Sequence, residues 1–281
     1  MSAHVAIVTD STAYLPPEAL AQHRITVVPL AVIIGDEALE EGTEVSARSV
    51  AAALQRRRPV TTSRPAPEEF AATYRAAAAA GAGAVVSLHL SAEFSGTYEA
   101  ACLAAADAPL PVRVVDTGMV GMALGFPVLA AAEAADAGGT PDDIVAAARA
   151  RAAETSAYFY VDTLDYLRRG GRIGAAQALL GSALAVKPLL QLTDGRIQLM
   201  EKVRTASRAV ARLEEIVADR AGDHRVDIAV HHLAAPDRAH ALAERLRARV
   251  PHLIDLHVSE VGAVIGAHTG PGLLAAVVSP R

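Results

Sequence analysis

The sequence SLHLSAEFSGTY, at residues 87–98, joins an apolar strand-like run to a loop rich in hydroxyl groups and then to the start of a helix. Ser91, Ser95 and Thr97 can each donate a hydrogen bond, and Gly96 lets a ligand approach the backbone closely. We expect Ser95 or Thr97 to cap the alanine-rich helix that follows. Because a helix N-terminus favours an anion, the segment predicts either an anion-binding loop or an ordinary strand, loop and N-cap.

The same order of strand and helix recurs along the first half of the chain. Short β-branched runs predict strands, and the alanine-rich stretches between them predict helices. The predicted strands are residues 5–9, 26–34, 84–90 and 112–115, and the predicted helices follow Pro16 and cover residues 47–57, 67–80, 98–106, 119–135 and 141–154. This alternation predicts an α/β fold with a mostly parallel sheet flanked by helices.

The second half of the chain predicts another α/β domain. Asp194-Gly195 lies between two apolar runs and is a strong signal for a two-residue hairpin turn. The predicted strands are residues 158–161, 189–193, 196–199, 226–231 and 274–278, and the predicted helices are residues 173–184, a segment that ends at 218, and residues 236–249. We place the boundary near Ser156, so the predicted domains are residues 1–156 and 157–281.

Composition excludes several classes of protein. The 281 residues are 52% hydrophobic and 20% charged, which is typical of a globular chain. A net charge of −5 and 4% aromatic residues without tryptophan argue against nucleic-acid binding. The single cysteine, Cys102, excludes an intrachain disulfide and a cysteine-based zinc site, and it fits a reducing cytoplasm. The sequence shows neither a secretion signal nor an apolar run long enough to span a membrane, so we expect no integral membrane protein.

Four polar loops follow predicted strands or precede predicted helices. They are residues 9–12, 61–65, 91–97 and 265–272. Loops at the carboxyl ends of parallel strands gather at one edge of a sheet, where ligands bind. Each loop alone is explained by a cap or a turn, with Asp10 as a candidate N-cap, but together they predict one cleft.

Two basic residues are further candidates for this cleft. His268 lies in a segment that looks too glycine-rich for a core helix, so we expect its imidazole to face a cavity or the surface. Arg172 follows two glycines and is placed to pair with an anion or to cap a helix. The adjacent His231 and His232 lack the spacing of a common metal site and are interpreted as a strand end.

Motifs of several enzyme classes are absent from the sequence. The residues around Ser95 lack the flanking glycines of the hydrolase nucleophile elbow. Neither the GxxxxGK[ST] phosphate loop nor the GxGxxG fingerprint occurs. An independent hydrolase, NTPase or dehydrogenase is therefore disfavoured.

Taken in order, a series of motifs resembles the DegV family over almost the whole chain. The motifs are VTDSTAYLP, TTSRPAPEEF, SLHLSAEFSGTYEAA, VVDTGMVGMALGF, YVDTLDYLRRGGRIGAAQALLGSALAVKPLLQLTDGRIQLMEKVRT and IGAHTGPG. The resemblance implies a bacterial fatty-acid-binding protein of two α/β domains, with the lipid enclosed between them. It further implies a cytoplasmic carrier, with no metal and no cofactor besides the bound fatty acid. Some family members resemble the carrier subunit of a fatty-acid kinase, which presents the carboxylate to a separate ATP-binding subunit.

The resemblance also assigns site residues. It implies that Thr62 and Ser95 donate hydrogen bonds to the carboxylate, with His268 beside them. Arg172 is implied to belong to the site or to its kinase-facing rim. The residues implied to support the site are Ser63, Gly96 and Thr97, and small residues within 174–183 are expected to help line the acyl tunnel.

The chain departs from the family pattern in two loops. Arg64 replaces the usual glutamine after the TS pair, and Ala92 and Glu93 replace a serine and a small residue. The added cation and carboxylate are expected either to pair with each other or to alter the preference for a head group.

Three functions remain open from the sequence. The leading one is a non-enzymatic lipid carrier. The second is an acyl or phosphoryl transferase with Ser95 or His268 as nucleophile. The third is a regulatory module that senses lipid and binds another macromolecule.

Overall fold

The computed structural model describes residues 4–179 and 187–281, which form two compact units. The N-terminal unit contains the chain up to Ala31 together with Ser63–Glu154, and the C-terminal unit contains Val32–Thr62 and Thr155–Arg281. The chain passes into the C-terminal unit for the last time between Glu154 and Thr155, next to the boundary predicted near Ser156. The prediction nevertheless differs from this division, because it places residues 32–62 in the first domain.

The strands alternate with helices through most of the chain. The strands are β1 (Val5–Asp10), β2 (Thr26–Val28), β3 (Ala31–Ile34), β4 (Glu37–Glu40), β5 (Val60–Ser63), β6 (Ala84–His89), β7 (Val112–Asp116), β8 (Ser156–Tyr160), β9 (Lys187–Thr193), β10 (Arg196–Val203), β11 (Val226–His232), β12 (Leu253–Glu260) and β13 (Leu274–Pro280). The helices are α1 (Pro17–His23), α2 (Ala47–Gln55), α3 (Pro67–Ala79), α4 (Thr97–Ala106), α5 (Met122–Asp136), α6 (Pro141–Glu154), α7 (Asp165–Arg169), α8 (Ala206–Ala221), α9 (Pro236–Arg249) and α10 (Ala263–Thr269), with short 3₁₀ helices at Ser11–Ala13 and Gly174–Leu179.

The N-terminal unit is built on a parallel sheet with the strand order β2-β1-β6-β7. All six residues of β6 are buried, as expected for a parallel strand covered on both faces. Phe70 and Tyr74 of α3 and the alanines of α4 pack on this sheet in one apolar cluster. The predicted mixed α/β fold, with a parallel sheet flanked by helices, is therefore confirmed.

The strand predicted over residues 26–34 is wrong as a single element. It divides into β2 and β3, which belong to different sheets, with Pro29 and Leu30 between them. Proline has no N–H to donate to a strand ladder, and the Leu30 N–H donates to Ser11 Oγ at 3.0 Å instead. The chain therefore leaves the first sheet at this point.

The C-terminal unit contains a mixed six-stranded sheet in the order β10-β9-β8-β13-β11-β12. Helices α8 and α9 pack on it through a buried cluster that includes Leu213, Leu242 and Val230. The predicted hairpin is confirmed, since β9 and β10 pair antiparallel around Asp194 and Gly195. Both turn residues have positive φ, 51° and 74°, as the favoured two-residue hairpin turn requires.

The sequence also mispredicts the segment after Arg172. We expect one α-helix over residues 173–184, whereas Gly174–Leu179 forms a 3₁₀ helix and residues 180–184 lie outside the described residues. Gly174 has a φ of 55°, and a Cβ there would overlap the Ile197 carbonyl oxygen. Close approach to β10 therefore shapes this segment, and helix propensity does not decide it.

A buried carboxylate joins the ends of two neighbouring strands in the N-terminal unit. Asp10 ends β1, and its Oδ1 accepts hydrogen bonds from the N–H and hydroxyl of Thr12 at 3.0 and 2.6 Å. Its Oδ2 accepts from the Leu90 N–H at 2.9 Å and lies 3.1 Å from Nδ1 of His89. The predicted N-cap role of Asp10 is thus confirmed, and the same side chain fixes the backbone where β6 enters the loop at residues 91–97.

The network continues from His89 into the core. His89 Nε2 lies 2.7 Å from Ser87 Oγ, which accepts a hydrogen bond from the Tyr74 hydroxyl at 3.0 Å. Burial raises the pKa of Tyr74 to about 12, so its phenol keeps the proton that it donates. Ser87 is fully buried, so this Ser-His-Asp series has no access to a substrate and serves to hold the sheet and its loops.

We predict that Asp10→Ala lowers the free energy of unfolding by about 3 kcal/mol or more, because several buried donors lose their acceptor. Tyr74→Phe removes a single hydrogen bond and should cost about 1 kcal/mol. Urea unfolding of both variants measures the difference. Equal losses in the two variants would show that Asp10 is not central to the network.

Candidate functional site

A hydrogen bond between Thr62 and His268 is the centre of the candidate site. Thr62 Oγ1 lies 2.8 Å from His268 Nε2, although the two residues are 206 positions apart in the chain. Both belong to the C-terminal unit, where Thr62 lies on β5 and His268 in the last turn of α10. The loop predicted over residues 61–65 is wrong for residues 61–63, which belong to β5, whereas residues 64 and 65 lie outside any helix or strand.

The segment around His268 is helical, which corrects a second prediction. Its glycines were expected to exclude a core helix, but they lie where the helix packs closely against neighbouring side chains. Gly266 packs against Leu233 and Val50, and a Cβ there would lie 3.2 Å from Leu233 Cδ2. Gly270 ends α10 with a φ of 72° and lies against the ring of Tyr166. The small residues thus allow α10 to pack closely, and this packing positions His268.

His268 is largely buried and electrically neutral at neutral pH. Burial lowers the pKa of its imidazole from 6.5 to about 4, and the nearby Arg172 guanidinium lowers it further in the same direction. The expectation that the imidazole faces a cavity or the surface is only partly met, since most of the ring is enclosed. The Thr62–His268 pair is therefore a neutral pair of hydrogen-bonding groups.

Arg172 is linked to His268 by Gly170, which contacts both residues. Its Nη1 donates to the Gly170 carbonyl oxygen at 2.5 Å, and its own N–H donates to the Leu167 carbonyl at 3.0 Å. Gly170 in turn lies against the ring of His268. The structure thus brings Thr62, His268 and Arg172 together within one unit.

Ser95 and Thr97 form a second hydroxyl pair, in the N-terminal unit. Their side-chain oxygens lie 2.8 Å apart. The loop that carries them is a tight turn, in which the Phe94 and Ser95 N–H groups donate to the Ser91 carbonyl oxygen at 3.0 and 3.3 Å. Gly96 is the N-cap of α4 and makes no side-chain hydrogen bond, so the expected cap by Ser95 or Thr97 is wrong. The hydroxyls hold each other instead.

Arg64 covers this loop. Its Nη1 lies 3.8 Å from Glu99 Oε2, so it forms an ion pair with Glu99. A pair with Glu93 was one of the two alternatives that the sequence left open. A Cβ at Gly96 would overlap the Arg64 guanidinium, which shows how closely the side chain crosses the backbone there. Both charged groups are at least half exposed, so the pair contributes little to stability.

Ser63 does not join either hydroxyl pair. It is exposed, and its hydroxyl donates to the Arg64 carbonyl oxygen at 3.1 Å. His231 and His232 end β11, as predicted. The ring of His231 is buried beside Ser259 at 3.0 Å, and burial lowers its pKa to about 4. Over residues 4–179 and 187–281 no cluster of side chains could hold a metal ion.

The sequence missed the buried residues that support these loops. In the sequence, Ser87 and His89 look like ordinary strand residues. Two polar side chains at alternate positions of an otherwise apolar strand are nevertheless a signal of a buried polar network. Gly170 was treated only as a break before Arg172. None of the helices within the described ranges is long and apolar enough to cross a membrane.

Comparisons with known proteins agree over the whole chain. A family model described as "Uncharacterised protein, DegV family" matches residues 4–281. A DegV domain-containing protein of Streptomyces coelicolor is 76% identical over 281 residues, which is 100% of both chains.

Solved structures show the same fold. One is a DegV family protein of Thermus thermophilus described as binding fatty acid; it is 32% identical, with a TM-score of 0.94 over 99% of this chain and 100% of that one. Another is DegV of Bacillus subtilis, described as a fatty acid binding protein; it is 36% identical, with a TM-score of 0.91 over 100% of both chains. The predicted family resemblance and fold class are both confirmed.

We predict that His268 makes the protein less stable in mild acid. Its pKa is about 4 in the folded state against an ordinary 6.5, so the unfolded chain binds the proton more readily between these values. The free energy of unfolding should therefore fall as the pH drops through this interval, by up to about 3 kcal/mol from this group. In His268→Gln the fall should be smaller by that amount.

Urea unfolding of both proteins at a series of pH values measures this effect. His231 has a similarly lowered pKa and is present in both proteins, so its contribution cancels. Parallel curves for wild type and His268→Gln would contradict the burial of a neutral imidazole.

Proposed function

We propose, because the chain belongs to the DegV family, that it binds a long-chain fatty acid and holds its carboxylate with Thr62 and His268. The hydrogen bond between these two residues is the observation that carries the proposal. It aligns a hydroxyl and an imidazole in a largely enclosed place, where a carboxylate needs donors to replace its lost hydration.

The charge near this pair supports an anionic ligand. Arg172 lies beside His268 and contributes positive potential there. We propose Ser95 as a further donor on the basis of the SGT motif, with Thr97 holding its hydroxyl in place. Ser63 and Gly96 support these loops. The acyl chain itself would gain roughly 0.8 kcal/mol for each methylene that it buries.

We further propose that the protein is a carrier for a separate ATP-binding kinase subunit in the cytoplasm. In that reaction a carboxylate oxygen attacks the γ-phosphorus of ATP, the bond from this phosphorus to the ADP oxygen breaks, and an acyl phosphate forms for phospholipid synthesis. The GxxxxGK[ST] phosphate loop does not occur in the sequence, which is consistent with a division of labour between two proteins.

We predict that Thr62→Val weakens fatty-acid binding roughly ten-fold or more, because the carboxylate loses a hydrogen bond and a buried acceptor remains unpaired. Thr61→Val is the matched control, since Thr61 is an exposed neighbour on the same strand. Calorimetric titration of wild type and both variants with oleate measures the affinities. Equal affinities would exclude Thr62 from the carboxylate site.

We predict that the purified protein, given ATP and fatty acid, forms no acyl phosphate until a fatty-acid kinase subunit is added. Trapping the product with hydroxylamine measures its formation. Turnover by the protein alone, lost in Ser95→Ala, would favour the transferase reading instead.

A further inference from the structure

One nitrogen of His268 has no hydrogen-bond partner within the described part of the chain. Nε2 faces Thr62, whereas Nδ1 is buried and makes no hydrogen bond. The group that Nδ1 meets is Gly170, whose Cα carries no side chain. An unpaired buried polar atom is uncommon in a folded protein.

The position of the imidazole proton explains how Nδ1 can remain unpaired. In the Nδ1–H tautomer, a buried N–H would have no acceptor among the described residues and would lie beside Gly170, to whose carbonyl oxygen the Arg172 guanidinium donates. The charge of Arg172 lies close enough to act on the ring. In the Nε2–H tautomer, Nδ1 carries a lone pair, and the nearby cation stabilises this lone pair. The geometry and the charge therefore favour the same tautomer.

The tautomer decides what Thr62 can do. If Nε2 lacked a proton, the Thr62 hydroxyl would donate to it and could only accept hydrogen bonds from a ligand. If Nε2 carries the proton, it donates to Thr62 Oγ1 at 2.8 Å, and the Thr62 proton remains for a ligand. A carboxylate offers acceptors only, so it requires the second arrangement.

We propose that Gly170 and Arg172 are positioning residues that hold His268 as the Nε2–H tautomer and thereby make Thr62 a hydrogen-bond donor to the ligand. This inference rests on the proposed function for the identity of the ligand. The tautomer itself is a property of the protein and can be measured without one.

The fold explains why glycine is required at position 170. A Cβ there would overlap Nδ1 and Cε1 of His268, so any side chain would push the imidazole away from Thr62. Arg172 depends on the same residue, because it donates to the Gly170 carbonyl oxygen. The neighbouring Gly171 has a φ of 71°, but a Cβ at that position meets nothing within 4 Å.

The chain offers a matched control for each variant. Gly170→Ala displaces the imidazole, and Gly171→Ala tests backbone strain alone. Arg172→Gln removes the charge that acts on the His268 ring, and Arg169→Gln removes an exposed charge three positions earlier. Thermal unfolding followed by circular dichroism checks that each variant folds, and Arg172→Gln keeps the inference testable if Gly170→Ala does not fold.

Two measurements test the inference. Nitrogen-15 NMR at neutral pH reports the tautomer of His268, with its signals assigned by their loss in His268→Gln. We expect a protonated Nε2 and an unprotonated Nδ1 in wild type, Gly171→Ala and Arg169→Gln, and a mixture of tautomers in Arg172→Gln. Oleate affinity should fall roughly ten-fold or more in Gly170→Ala and Arg172→Gln and stay unchanged in both controls.

The outcomes separate this inference from the proposed function. An Nδ1–H tautomer in wild type would overturn the inference, as would equal loss of affinity in Gly170→Ala and Gly171→Ala. A wild-type protein with the Nε2–H tautomer that binds no oleate would support the tautomer assignment and overturn the proposed function.

Discussion

The hydrogen bond between Thr62 and His268 depends on contacts between distant segments of the C-terminal unit. It requires β5 and α10 to meet although they are far apart in sequence, and two further contacts bring them together. Gly266 lets α10 pack against Val50 of α2, and Glu41 accepts a hydrogen bond from the Val264 N–H at 2.8 Å. Residues 32–62 thus belong to the C-terminal unit because their partners lie at the end of the chain.

Local patterns in the sequence predicted the elements that local forces determine. The parallel sheet follows from the spacing of apolar runs, and the hairpin at Asp194-Gly195 follows from backbone preferences of two residues. Helix α10 was missed because its glycines read as loop residues, whereas in the fold Leu233 and Tyr166 fill the space that side chains would occupy. Such contacts depend on residues distant in sequence.

In the candidate site, too, the sequence identified single residues but not their contacts with distant residues. Thr62, Ser95, His268 and Arg172 were named from motifs, but their individual partners were not. Ser95 meets Thr97, and Arg64 meets Glu99, through geometry that no motif states. Asp10 was recognised as a cap from its place after a strand, yet its bond to Leu90 required knowledge of which strand lies beside β1. Sequence identifies the donors, and the fold decides how they are paired.

The membership of residues 32–62 in the C-terminal unit has a consequence during protein synthesis. This segment leaves the ribosome early, but its packing partners are encoded at the end of the chain. At about 5–20 residues per second, roughly 10–40 s pass before α10 is made. During that time α2 lacks α10, the helix that packs against Val50 in the folded protein, so this part of its apolar face stays uncovered until α10 is made.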